Sequence, residues 1–131
     1  MHSLPSLLLV EPDALARDMI EAAALPFAHV ESHGDFQTAR ARLRAVPFDL
    51  LVTNVRLNAY NGLHLVYLYS SGRAAIVYDH EYDPWLAREA QRAGALYEIA
   101  SYLPITLAAY LTARLPLPDR LDPAILQGRM M

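Results

Sequence analysis

Short apolar runs separated by stretches of helical period are what most constrains the fold of this 131-residue chain. A run of four to eight apolar residues has the length of a strand buried on both faces, and parallel strands need a helix-length connection between them. Such units follow one another five times along the sequence. The pattern therefore predicts an α/β fold, a three-layer sandwich with a five-stranded parallel sheet and helices on both faces.

Leu7 to Val10 reads as the first strand, followed by a helix from about Asp13 to Leu25. Asp13 is placed to cap that helix, with Leu15, Met19, Ala22 and Ala23 as its inner stripe. Phe27 to Ser32 is expected as an edge strand, and Asp35 caps a helix in which Phe36, Ala39 and Leu43 recur at helical spacing until Pro47 blocks it. The central strand ends at Asn54, Gly62 opens a short helix to about Tyr69, and Ser71-Gly72 closes it. Ala75 to Tyr78 is the fourth strand. Pro84 suits the first turn of the next helix, where Leu86, Ala90 and Ala93 form the buried stripe before Gly94. Leu96 to Ala100 is the fifth strand, and Pro104 begins a last helix that is apolar nearly all round. Ile105, Ala108 and Thr112 lie on one side of it and Leu107, Leu111 and Leu115 on another, which implies two packing partners. Right-handed crossovers through five units suggest the flavodoxin-like strand order 2-1-3-4-5. Residues 1–115 are expected to form one domain, and 116–131, with Pro116, Pro118 and Pro123, a tail.

Composition removes several functional classes. At 54% hydrophobic residues the chain is rich enough for a core that needs no staples, and without cysteine neither disulfides nor thiol chemistry enter. A formal charge of −3 gives no general attraction to nucleic acid, and Arg40, Arg42 and Arg44 read as a solvated helix face. No stretch approaches the roughly 18 apolar residues of a membrane span, and Met1 to Pro5 lack a basic, apolar leader, so a cytoplasmic protein is expected. No GxGxxG or P-loop spacing occurs, and the acidic Glu11-Pro12-Asp13 lacks the small and hydroxyl residues that cradle a phosphate. No cofactor is expected.

In a doubly wound sheet the carboxyl ends of the strands form the functional edge. Glu11, Pro12, Asp13, Asn54, Asp79 and Ser101 fall there. The segment Asp49 to Gly62, a strand, a loop and then Asn61-Gly62, resembles the phosphorylation loop of response-regulator receiver domains of two-component phosphorelay systems, and the resemblance covers about Leu7 to Leu115. It implies an acidic pair for a divalent cation, an acceptor aspartate, a serine or threonine, and a lysine. Glu11 matches the first acid, but Pro12 stands where the second falls, with Asp13 one place on. Asn54 holds the acceptor position. Counted back from Arg92-Ala93-Gly94-Ala95, Asp79 takes the hydroxyl position and Ser101 the lysine position, with Tyr102 in place of the following proline.

A carboxamide cannot accept a phosphoryl group, a carboxylate at 79 repels one, and without the lysine nothing neutralises it. The resemblance thus implies a degenerate receiver with no catalytic residue and no resident metal, not an enzyme, acting by phosphorylation-independent docking. Its partner is a protein of a two-component pathway or a second copy of itself, with no direct contact to nucleic acid or membrane. The alternative is a small-ligand or cation sensor using the altered pocket, where Glu11, Asp13 and Asp79 gather a weak cation.

Glu98 falls where the family has a switch aromatic, with Tyr97 before it, so either the switch is absent or the register is shifted by one. Tyr97, Tyr102, Leu107, Tyr110 and Leu111 are candidates for a contact patch on the face of the fourth helix, fifth strand and fifth helix. His29, Glu31 and His33 alternate on the edge strand and match a zinc pattern only weakly, reading instead as a polar outer face. His64 and His80 have no serine or acid at triad spacing.

Overall fold

Leu7, Leu8, Leu9 and Val10 have no solvent exposure, and neither do Leu51 and Val52, as expected of strands covered on both faces. The computed structural model of the chain describes residues 4–69 and 73–113. Its elements are β1 (Ser6–Val10), α1 (Ala14–Ala24), β2 (His29–His33), α2 (Phe36–Ala45), β3 (Leu50–Asn54), the two-residue strands β4 (Arg56–Leu57) and β5 (Tyr60–Asn61), α3 (Leu63–Tyr69), β6 (Ala74–Asp79), α4 (Pro84–Arg92), β7 (Leu96–Ile99) and α5 (Leu103–Ala113). The main sheet is parallel in the order β2-β1-β3-β6-β7, which is 2-1-3-4-5 counted over the five long strands. The predicted fold class is the observed one.

Caps fall on acidic side chains at three helix starts. Asp13, Asp35 and Asp83 accept from the first-turn N–H groups of α1, α2 and α4, and Pro84 sits in the first turn of α4. Gly94, with φ 87°, ends α4 in the left-handed conformation that favours glycine.

Four local expectations require correction. The inward residues of α1 are Ile20 and Ala24, while Leu15, Met19 and Ala22 face solvent. Five alanines leave the apolar period of this helix ambiguous, and the phase is set instead by Arg17, whose Nη1 donates to the Glu11 carbonyl oxygen at 2.7 Å. The edge strand begins at His29, two residues after Phe27, and the last strand stops at Ile99 because Ala100–Tyr102 wind into a 3₁₀ turn that leads into α5. Leu103, Leu107 and Leu111 form the inner face of α5, and its other apolar side, with Ile105, is open to solvent rather than packed. Ser71-Gly72, Leu115 and the expected tail lie outside the described residues. Among the described residues no helix is long and apolar enough to cross a membrane.

The loop after β3 is held by two devices. Asn58, at φ 59°, makes the turn between β4 and β5, and Tyr60 stacks on Phe36 of α2 at 4.4 Å while its hydroxyl accepts from Gln37 Nε2 at 2.8 Å. Gly62 then presses against the end of β3: its N–H donates to the Val55 carbonyl at 2.7 Å, and an added Cβ would lie 2.2 Å from the Asn54 carbonyl oxygen. That oxygen is backbone and cannot step aside. Gly62→Ala is therefore expected to lower stability by about 3 kcal/mol in urea unfolding; a variant as stable as the parent contradicts this account of the loop.

Candidate functional site

Parallel register puts three polar side chains at the ends of the three central strands. Val10 pairs with Thr53, so Glu11 follows beside Asn54, and Asn54 pairs with Tyr78 of β6. All three are buried, Glu11 to within 5% of full burial. A buried carboxylate needs either a counter-charge or a complete set of donors. Glu11 has donors: its Oε1 accepts from Asn54 Nδ2 at 2.9 Å and from Tyr78 Oη at 2.8 Å, and its Oε2 accepts from the Asp13 N–H at 2.9 Å. The amide of Asn54 is engaged at both ends, since its Oδ1 accepts from the Arg56 N–H at 2.9 Å. Burial, together with the Glu11 carboxylate beside it, pushes the Tyr78 phenol far above its ordinary value, so it remains a donor throughout the usual pH range.

Asp79 belongs to a second, separate group. Its carboxylate is buried and takes a fork from Arg56, Nε at 3.1 Å and Nη2 at 3.0 Å, and also accepts from the His80 N–H at 2.8 Å. The ion pair raises the Arg56 guanidinium above its already high value. An open cleft of about 320 Å³ lies beside it, lined by Arg56, Asp79 and residues 80–84.

Of the residues expected at this edge, the structure joins Glu11 and Asn54. Pro12 is partly exposed between them and Asp13, whose Oδ2 accepts from the Ala16 N–H at 2.8 Å and is thereby turned into the helix cap. Ser101 is exposed in the 3₁₀ turn and bonds to none of the others. Asp79, counted to the hydroxyl position, does not reach Glu11 or Asn54; the residue that does is Tyr78. Alternation explains the difference, because Tyr78 is the register partner of Asn54 and shares its face, while Asp79 points to the other. The signal available was a tyrosine at the end of an otherwise apolar strand, whose hydroxyl must find a partner once buried.

Glu98 is tied to α5, its Oε2 accepting from Thr106 Oγ1 at 2.5 Å. Tyr97 reaches the loop after β6: its hydroxyl donates to the Glu81 carbonyl and accepts from the Asp83 N–H, both at 3.2 Å, and Tyr82 stands edge-on to its ring. The expected contact patch is corrected in part, since Leu107 and Leu111 are core residues with no surface to offer a partner. Tyr110 is half-buried against that core, and Tyr102 is exposed.

At the other edge of the sheet, Glu31 accepts from Arg42 Nε at 2.6 Å and lies 2.7 Å from His33 Nε2. The Arg42 guanidinium, helped by His33, holds the Glu31 carboxyl down at about 2. His29 is exposed, and among the described residues no three acidic or histidine side chains stand close enough to share a metal ion.

No family model and no curated protein matches the sequence. Solved structures do. The chemotaxis response regulator CheY4 of Vibrio cholerae superposes with a TM-score of 0.73 at 21% identity, over 86% of this chain and 100% of that one. A CheY-like response regulator receiver domain protein from Methanospirillum hungatei gives 0.72 at 18% identity, over 86% and 97%. The phosphorylated cyanobacterial phytochrome response regulator RcpA gives 0.72 at 17%, over 88% and 99%. The fold is the receiver fold. Within it, Glu11, Asn54 and Tyr78 occupy the carboxyl ends of the three central strands.

An acid at 54 in this receiver fold would set two carboxylate oxygens about as close as Asn54 Nδ2 and Glu11 Oε1 are now, a repulsion on the order of 6 kcal/mol at the effective dielectric of a protein site. Asn54→Asp is therefore expected to lower the melting temperature at neutral pH. The deficit should shrink on acidification, which protonates one carboxyl, and on addition of millimolar magnesium, which is expected to leave the parent protein's melt unchanged. An Asn54→Asp protein as stable as the parent in metal-free neutral buffer contradicts this geometry.

Proposed function

We propose that this chain is a signalling module of the response-regulator type that works without phosphoryl transfer, docking constitutively onto a protein of a two-component pathway or onto a second copy of itself in the cytoplasm. The observation that carries the reading is the Asn54 amide, bonded to Glu11 on one side and to the Arg56 N–H on the other. An amide in that place has no nucleophilic oxygen to receive a phosphoryl group. Its N–H also does the work that a divalent cation does between two acids, so the site has neither acceptor nor need of a metal. Asp79, the residue counted to the hydroxyl position, is locked to Arg56 and offers no hydroxyl donor to a transferred phosphoryl group. Among the described residues at this strand edge no nucleophile is paired with a base, so the reading is of a binding protein and not an enzyme.

The receiver fold of the neighbours supports the pathway half of this reading, and the chemistry of the site supports the phosphate-independent half. A second reading, a small-ligand sensor, draws on the cleft at Arg56 and Asp79, whose volume falls at the lower end of ligand pockets. A melting shift with a metabolite panel that Arg56→Ala abolishes favours that reading over docking.

Incubation with magnesium and acetyl phosphate, or with beryllofluoride, followed by intact mass and melting temperature, tests the proposal. The expected result is an unchanged mass and an unchanged melt. A stoichiometric phosphoryl adduct, or a beryllofluoride-dependent change in association, overturns it.

A further inference from the structure

The side chains that line the open cleft beside Asp79 take no part in the hydrogen bonds around Asn54. One wall is Arg56. A guanidinium can grip a planar anion along two edges, Nε with one terminal nitrogen or the two terminal nitrogens together. Asp79, 3% exposed, takes the first edge through Nε and Nη2, whereas Nη1 has no partner among the described residues and the Arg56 side chain is 64% exposed. One edge is clamped by a buried carboxylate and the other is left for a ligand. An arginine fixed in this way has given up its rotamer freedom before anything binds.

The opposite wall, residues 80–84, is also held in place. The Tyr97 hydroxyl bonds the Glu81 carbonyl and the Asp83 N–H, and the Tyr82 ring stands edge-on to Tyr97 at 5.8 Å. Glu81 lines the cleft, is exposed, and its carboxylate has no partner among the described residues. Asp83 spends its Oδ1 on the Trp85 and Leu86 N–H groups. Tyr82 and Pro84 add exposed apolar surface to the same wall. With Asp79 paired, the cleft thus offers one open guanidinium edge, one free carboxylate and an apolar side. A simple anion would meet Glu81 and Asp83 as like charges, and a simple cation would meet Arg56. A small molecule that carries both signs satisfies both walls.

We infer that this cleft binds a free amino acid as its zwitterion, with the carboxylate on the Nη1–Nη2 edge of Arg56, the ammonium toward Glu81 and an apolar side chain against Tyr82 and Pro84. The cleft, about 320 Å³, suits a ligand of that size. The inference rests on the second reading above, that of a small-ligand sensor, and names its ligand class.

Calorimetric titration of the full chain with L-phenylalanine, and with its single-charge analogues 3-phenylpropanoate and 2-phenylethylamine, tests this. L-phenylalanine is expected to bind saturably at or below millimolar concentration, and each analogue at least about tenfold more weakly, the worth of one charge-assisted hydrogen bond. Glu81→Gln removes the acid on one wall, and Arg56→Lys keeps a positive charge beside Asp79 but has no second planar edge; each should weaken phenylalanine about tenfold. The control Glu89→Gln, whose carboxylate bonds Arg92 outside the cleft, should bind as the parent does. Glu81 is exposed and the only bond its side chain region makes is through its carbonyl, so Glu81→Gln is expected to keep the parent's circular dichroism. No saturable binding of phenylalanine, leucine or glutamine into the millimolar range overturns the inference. Analogues that bind as tightly as phenylalanine overturn it, and so does phenylalanine binding that both Glu81→Gln and Arg56→Lys leave intact. A melting shift with a metabolite that has no ammonium group, lost in Arg56→Lys, overturns the amino-acid assignment while sustaining the sensor reading; no shift with any metabolite overturns both.

Discussion

The contact on which the functional edge depends is the one between Asn54 Nδ2 and Glu11 Oε1, 2.9 Å long and out of reach of solvent. A carboxylate in that position would ordinarily require a cation, and here three neutral donors stand in for it. The arrangement is closed: each oxygen of Glu11 is occupied, both ends of the Asn54 amide are occupied, and the Tyr78 phenol cannot ionise beside them. Among the described residues no buried side-chain polar atom lacks a partner. The neutral side chain at 54 is thus matched to its surroundings, and the site is closed by hydrogen bonds in a fold whose neighbours include the phosphorylated RcpA.

The scaffold supplies this plug from a distance. Parallel pairing of β1, β3 and β6 brings Glu11, Asn54 and Tyr78 to one level, and Arg17 fixes the start of α1 over the same strand end. Gly62 lets the following loop close on Asn54 with no side chain between them, and the Tyr60–Phe36 stack pins that loop to α2. The second acid at the edge, Asp79, is neutralised by Arg56 from the same loop, so a single turn of chain serves both groups. Rigid strand ends, rather than a mobile loop, therefore decide what the site can accept.

Much of this was legible in the residues, and the failures have physical reasons. The order of strands followed from apolar runs such as Leu50-Leu51-Val52, which only a doubly covered sheet can bury, and the caps at Asp13 and Asp35 were visible as acids before apolar-periodic stretches. Asn54 and Glu11 were legible because a strand's last residue has few places to go. Tyr78 was not, because counting along one chain fixes position but not which strand neighbour shares a face. The phase of α1 was misread since alanine fits either side of a helix, and the inward turn of Arg17 is a tertiary contact. Leu107 and Leu111 looked like surface candidates only because the whole of α5 is apolar, and periodicity cannot rank the sides of a helix that has no polar one.

The central claim, that a neutral amide replaces a cation at the end of β3, is tested most directly on that amide itself. In a ¹⁵N–¹H spectrum the two side-chain protons of Asn54 should resonate apart and exchange slowly with water, and neither should move as magnesium is titrated into the millimolar range. A saturable, magnesium-dependent shift of those signals, together with the backbone amides of Glu11 and Arg56, contradicts the account and establishes a metal site where the structure has hydrogen bonds alone.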